Sequence, residues 1–200
     1  MSDQTERPYH HGDLRRAVIE TALAMLHEEK NWQFTLREVA RRAGVSHAAP
    51  YKHFPDKAAL LAELALIGFD RLRAALLAAQ PDAPTDLRDA LLPVARAYID
   101  FGTANPALYR LMFGADAGKP SEVHLSERAL STFAILTGFL ERGQEAGLIR
   151  KRPVPGQAAA CWAELHGLTM LAIDGLLLPE KVGDDAVTQA LATLLEGIEA

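Results

Sequence analysis

Thr35 and Glu38 stand three residues apart at the head of an apolar series, Leu36, Val39, Ala40 and Ala43, spaced i, i+3, i+4 and i+7. Thr-x-x-Glu before such a series is a capping box, in which each side chain satisfies a backbone N–H that the first helical turn leaves open. Gly44 stops the helix, because glycine enters the left-handed conformation without steric cost. Val45 supplies an apolar plug for the turn, and Ser46 is a good first cap for another helix. That helix, His47 to about Phe54, is very short and is closed by Pro55. Two short helices with so tight a turn make a helix-turn-helix, and the spacing of Leu36, Val39, Val45 and Phe54 requires them to be buried.

The flanking segments are helical too. Leu14, Val18, Ala22, Met25 and Leu26 recur with a helical period ahead of the motif. Behind it, Pro55-Asp56-Lys57 opens a long helix to about Ala79, which the stretch Gln80-Pro81-Asp82-Ala83-Pro84 ends as a hinge. Further helices are expected over 85–104, 106–114, 121–146, 154–178 and 184–199, with Pro106 at a first helical position and Gly147 and Gly183 as breaks. Composition excludes a sheet: 35 Ala and 30 Leu stand against 15 Val plus Ile and 13 aromatics, too few side chains to fill pleated faces. The expected fold is all-α, of about nine helices: a flexible arm over 1–12, a three-helix head over 13–72 with its motif at about 35–54, and a helical bundle over 80–200.

A net charge of -5 argues, taken whole, against a nucleic-acid partner. It is unevenly placed. Between Thr35 and Lys57, Arg37, Arg41, Arg42, Lys52 and Lys57 face only Glu38 and Asp56, while the acidic surplus lies beyond residue 60. A local basic surplus on a capped helical hairpin points to an anionic partner.

The run Thr35-Leu-Arg-Glu-Val-Ala-Arg-Arg-Ala-Gly-Val-Ser46, then Tyr51-Lys-His-Phe54 and Lys57, resembles the DNA-binding head of the TetR family of bacterial regulators, as does Tyr9-His-His-Gly-Asp-Leu-Arg15 before it. The resemblance covers roughly residues 9–72 and implies a homodimeric regulator that binds double-stranded DNA in the cytoplasm. It implies phosphate contacts from Tyr51, Lys57 at a helix N-terminus, and Thr35. It implies base-edge contacts from His47, Ala48, Lys52 and His53, with Lys52 suited to guanine and an Ala48 or Ala49 methyl to thymine. One position departs from the family: Pro50 stands where a leucine or similar residue is usual, and its missing N–H predicts a distorted, partly 3₁₀ recognition helix.

Cys161-Trp-Ala-Glu-Leu-His-Gly167 resembles a C-terminal domain type named for its Trp-His-Gly signature, which implies dimerisation through the last two helices and a small-molecule effector pocket. Ala186, Ala190, Leu194 and Ile198 fit one buried face of the last helix. Candidate pocket residues are Tyr98, Phe101, Tyr109, Met112, Phe113, Phe133, Trp162, His166 and Met170, suited to a largely apolar or aromatic effector.

Enzymatic readings find no support. Cys161 and His166 lie about 140° apart around a helix, so they form no dyad. No nucleophile elbow, phosphate loop or dinucleotide fingerprint occurs. The seven histidines include no pair at metal-ligand spacing with a carboxylate, so neither metal nor cofactor is expected. No apolar run approaches the ~20 residues of a membrane span. The expectation is a ligand-responsive repressor on a pseudo-palindromic operator; the alternatives are an effector-independent DNA-binding regulator and a helical protein-interaction module.

Overall fold

A computed structural model describes residues 11–82 and 84–200, with side chains from residue 14 onward except at 120. Of the expected arm, residues 1–10 lie outside this range, as does Ala83 of the hinge; at residues 11 and 12 the backbone is already helical. The described residues form ten α-helices and no strand: α1 (His11–Glu29), α2 (Leu36–Arg42), α3 (Lys57–Ala78), α4 (Leu87–Ala104), α5 (Pro106–Phe113), α6 (Pro120–His124), α7 (Glu127–Glu145), α8 (Val154–Ile173), α9 (Pro179–Val182) and α10 (Ala186–Ile198). A single antiparallel bridge, Ile149 to Glu199, ties the chain end to the α7–α8 turn.

The capping logic of the head holds atom by atom. The Glu38 N–H donates to Thr35 Oγ1 at 3.2 Å, and the Thr35 N–H donates to Glu38 Oε2 at 2.6 Å. At the other end of α2, Gly44 has φ 69°, and the Val45 and Gly44 amides donate back to the Ala40 and Arg41 carbonyls. This doubled C-terminal closure turns the chain sharply and brings Val45 onto the core. The following segment is shorter than expected. The Ala49 amide donates to the Ser46 carbonyl in an isolated turn, and only Pro50–Lys52 is helical, as 3₁₀. Pro50 sits at the first position of that 3₁₀ turn, where its missing N–H costs nothing, and Ser46 makes no side-chain cap. The distortion expected from Pro50 is present.

Two expected helices are cut. The segment 121–146 breaks between α6 and α7, because the Ser126 hydroxyl donates to the Val123 carbonyl and accepts from the Ala129 amide. One serine thereby ends one helix and starts the next. The segment 154–178 stops at Ile173, where Gly175 at φ 66° lets the Leu176 amide return to the Leu171 carbonyl.

Helix α3 is the spine. Asp56 Oδ1 caps it by accepting from the Ala59 amide at 2.8 Å. Its first turns pack on α1 in the head through Leu60, Leu61 and Leu64, and its later turns pack on α4, α5 and α7. The body depends on a close approach of α4 to α8 at Gly102, where an added Cβ would lie 2.2 Å from Thr169 Cγ2 and 3.1 Å from Tyr109. Thr169 is wholly buried with its hydroxyl bonded to the Leu165 carbonyl, so it cannot swing away. Gly102→Val is therefore expected to destabilise the protein by about 1–3 kcal/mol through overpacking, read as a lower urea midpoint at unchanged slope.

Candidate functional site

The chemistry-bearing groups fall in two places, joined by α3. In the head, Thr35, Arg37, Arg41, His47, Ala48, Tyr51 and Lys52 are exposed around α2 and the 3₁₀ turn. Tyr51 is 49% exposed although aromatic, so its phenol is presented to solvent rather than packed. Thr35 uses its oxygen to accept from the α2 backbone, which leaves its hydroxyl proton free to donate. Lys57 is half-buried, with its ammonium 5.7 Å from the centre of the Phe34 ring. Arg42 is tied down in an ion pair with Glu28 of α1. His53 is turned inward: its Nε2 is enclosed and unpartnered, so that nitrogen does not face the groove-reading side. Ala49 is 7% exposed, which removes its methyl from the surface and leaves that of Ala48. The exposed surface thus carries a phenol and several cations around the 3₁₀ turn.

In the body, a cavity of about 610 Å³ runs between α3, α4, α7 and α8. Its wall is Phe69, Leu72 and Leu76 from α3, Leu87, Leu91, Val94 and Tyr98 from α4, Phe133, Leu136 and Phe139 from α7, and Trp162 and Leu165 from α8. Of the nine effector candidates, Tyr98, Phe113, Phe133 and Trp162 line it, whereas Phe101, Tyr109, Met112, His166 and Met170 do not. Tyr109 and Met112 are wholly buried, and Phe101 is nearly so, as packing between helices. Aromatic and methionine side chains mark these candidates in the sequence, but the wall is mostly aliphatic. The missed positions stand at helical spacing from those selected (Leu87, Leu91 and Val94 before Tyr98; Ala129 and Leu136 around Phe133), a facing pattern that single-residue selection overlooks.

His166 acts behind the wall. The Tyr109 hydroxyl lies 2.9 Å from that of Tyr98 and 2.7 Å from His166 Nδ1. Tyr109 has one proton, so the chain runs one way at a time: Tyr98 to Tyr109 to a bare Nδ1, or Nδ1–H to Tyr109 to Tyr98. The second direction frees the Tyr98 proton for the cavity. Burial pushes both phenols upward, keeping them protonated. Burial likewise pushes His166, and the cavity-lining His124, below the ordinary 6.5.

Both imidazoles are held neutral in the folded protein, while the unfolded chain takes up protons near pH 6.5. Their contribution to stability is complete above that pH and is lost as pH falls through their lower folded values. Urea unfolding at pH 7.5 and 5.5 is expected to show a drop in stability that shrinks in the His124→Asn, His166→Asn double variant.

An exposed helix-turn-helix on a helical body with an apolar cavity defines a two-part transcription regulator of the one-component kind, sensing and binding in one chain. The comparisons agree. Residues 19–64 match the model described as bacterial regulatory proteins, tetR family, and residues 91–194 match that of the tetracyclin repressor-like C-terminal domain. A protein of unknown function from Rhodococcus sp. RHA1 is 37% identical, with a TM-score of 0.81, over 98% of this chain and 100% of that one. A tetR family transcription regulator from Shewanella sp. PV-4 gives 20% identity and a TM-score of 0.71 over 94% and 98%. One from Vibrio parahaemolyticus gives 20% and 0.72 over 93% and 98%. No curated protein matches. The chain belongs to the TetR family: it is a DNA-binding transcription regulator and not an enzyme. None of the described helices is long and apolar enough to cross a membrane.

Proposed function

We propose that this regulator is a ligand-responsive repressor that acts as a homodimer on a pseudo-palindromic operator in the bacterial cytoplasm and leaves it when an apolar effector fills the body. The observation that carries this reading is the course of α3, which begins at Lys57 beside the recognition turn and ends in the cavity wall at Leu72 and Leu76. One rigid helix therefore belongs to both sites.

The DNA contacts we assign follow from exposure. Thr35, Tyr51 and Lys57 hold phosphates; His47, Ala48 and Lys52 face base edges. The inward turn of His53 removes its Nε2 from that set. Two heads reach successive major grooves about 34 Å apart, and the pairing surface is α8 with α10. Supporting that surface, α8 exposes on one side Ala159, Ala160 and Ala163, small residues that permit close helix packing, together with the apolar Leu171.

A bridge of charges runs beside α3. Arg128 of α7 donates to Asp70 and, at 3.1 Å, to Glu63, both of α3. Glu63 also pairs with Arg15 of α1 at 3.0 Å, and the Arg15 guanidinium lies 5.6 Å from the centre of the Phe54 ring, just past the recognition turn. Arg128 is one residue from Ala129 of the cavity wall. Ligand-driven movement of α7 thus has a route to the head. The test is to map the DNA bound upstream of the protein's own gene, then to assay release by apolar compounds. Tight binding to a palindrome with release by at least one apolar ligand is expected; equal affinity for scrambled DNA would refute the operator reading.

A further inference from the structure

The two ends of the body cavity differ in chemistry. The wall follows α7 from Ala129 to its C-terminal cap, Ala146, about 25 Å at the helical rise. That length and a volume of about 610 Å³ accommodate an extended hydrocarbon chain. Its middle is aliphatic: Leu72, Leu76, Leu91, Val94 and Leu136.

At the inner end stand aromatic rings, Tyr98 and His124. No cation lines it: the imidazole is held neutral by burial, and Tyr98, whose oxygen accepts from Tyr109, offers only a neutral hydroxyl. An anionic group placed there would lie buried with no cation to offset its charge, at high cost. At the outer end, by contrast, Arg142 and Gln80 line the opening. The Arg142 guanidinium takes part in no ion pair or side-chain hydrogen bond among the described residues. The one carboxylate of the lining, Asp86, is occupied in capping α4, accepting from the Asp89 amide at 2.7 Å.

Building on the effector-cavity reading above, we infer that the ligand is a long-chain carboxylate, its head on Arg142 at the opening and its hydrocarbon tail laid along the aliphatic channel toward the aromatic end. A guanidinium fork meets a carboxylate with two charge-assisted hydrogen bonds, and the channel selects for length.

Titration of the full-length protein with octanoate, dodecanoate, hexadecanoate and dodecanol, each below its micelle concentration, tests this. Affinity is expected to rise roughly four-fold per added methylene until the channel is filled. Dodecanoate is expected to bind roughly ten-fold or more tighter than dodecanol. Arg142→Gln removes that advantage while leaving dodecanol binding unchanged, and Leu136→Trp, which fills the channel, weakens both. Equal binding of acid and alcohol, both blocked by Leu136→Trp, overturns the carboxylate and leaves the effector cavity standing. Binding of none of the four overturns the long-chain ligand, and the cavity reading then rests on whether any other apolar compound releases the protein from DNA.

Discussion

Lys52→Ala is expected to lower operator affinity by roughly 30- to 10⁴-fold and to erase most of the preference for operator over scrambled DNA, because a lost base contact costs ~1–3 kcal/mol and the proposed homodimer loses it twice. The side chain is exposed on the 3₁₀ turn and makes no intramolecular bond that its loss would break, so unfolding should shift by no more than about 0.5 kcal/mol. Two companion variants separate the roles of neighbouring groups. Tyr51→Phe removes a neutral phosphate donor: affinity falls on every sequence alike, and the salt dependence is unchanged. Lys57→Ala removes a cation: affinity again falls alike, and the slope of log K against log salt becomes shallower by about 0.9 per head. Fluorescence anisotropy on operator and scrambled duplexes across a salt series reads all three. An operator preference that survives Lys52→Ala would move base reading to His47 and Ala48.

The reason such a prediction can be made for a chain of net charge -5 is that the head is written in local rules. A capping box, a left-handed glycine and an apolar plug each act within a few residues, so Thr35, Glu38, Gly44 and Val45 can be read in sequence and are found performing those roles. Pro50 belongs to the same group, since a missing N–H is a local fact. The cavity is different. Whether Phe113 lines it while Met112, one residue earlier, is wholly buried depends on how α5 meets α3, a relation between distant segments. The same holds for Arg142, whose guanidinium pairs with no carboxylate among the described residues. Charge pattern along the chain could not disclose that, with Glu141 and Glu145 beside it in sequence. The cuts at Ser126 and Gly175 fall between these extremes: the residues are recognisable caps, but each sits inside an apolar series long enough to continue.

Arg128→Gln is expected to leave both binding events nearly intact and to abolish most of their coupling. Its contacts with Asp70 and Glu63 are partly exposed, and pairs of this kind contribute about 0–1 kcal/mol to stability. Burial opposes the Arg128 charge, but the hydrogen bonds and charges of Asp70 and Glu63 outweigh it, so the guanidinium stays ionised and bonded to α3. The value of this arrangement lies in connection. Arg128 spans α7 and α3 next to the cavity, Glu63 is shared with Arg15, and Arg15 covers Phe54 at the end of the recognition turn. An effector that shifts the start of α7 changes the pull on Glu63 and hence the setting of α1 against the 3₁₀ turn. A ligand moves the heads only by its difference in affinity between the two arrangements, and coupling of this kind typically amounts to a 5- to 150-fold change. With Gln at 128 the ratio of DNA affinities without and with effector should fall toward one, while effector affinity in the absence of DNA stays within about two- to three-fold. Arg15→Gln should weaken the coupling in the same sense from the other end of the bridge. If instead both variants release from DNA as the parent does, the signal travels through the α3 backbone and its packing at Phe69 and Leu72, and the charges beside it are bystanders.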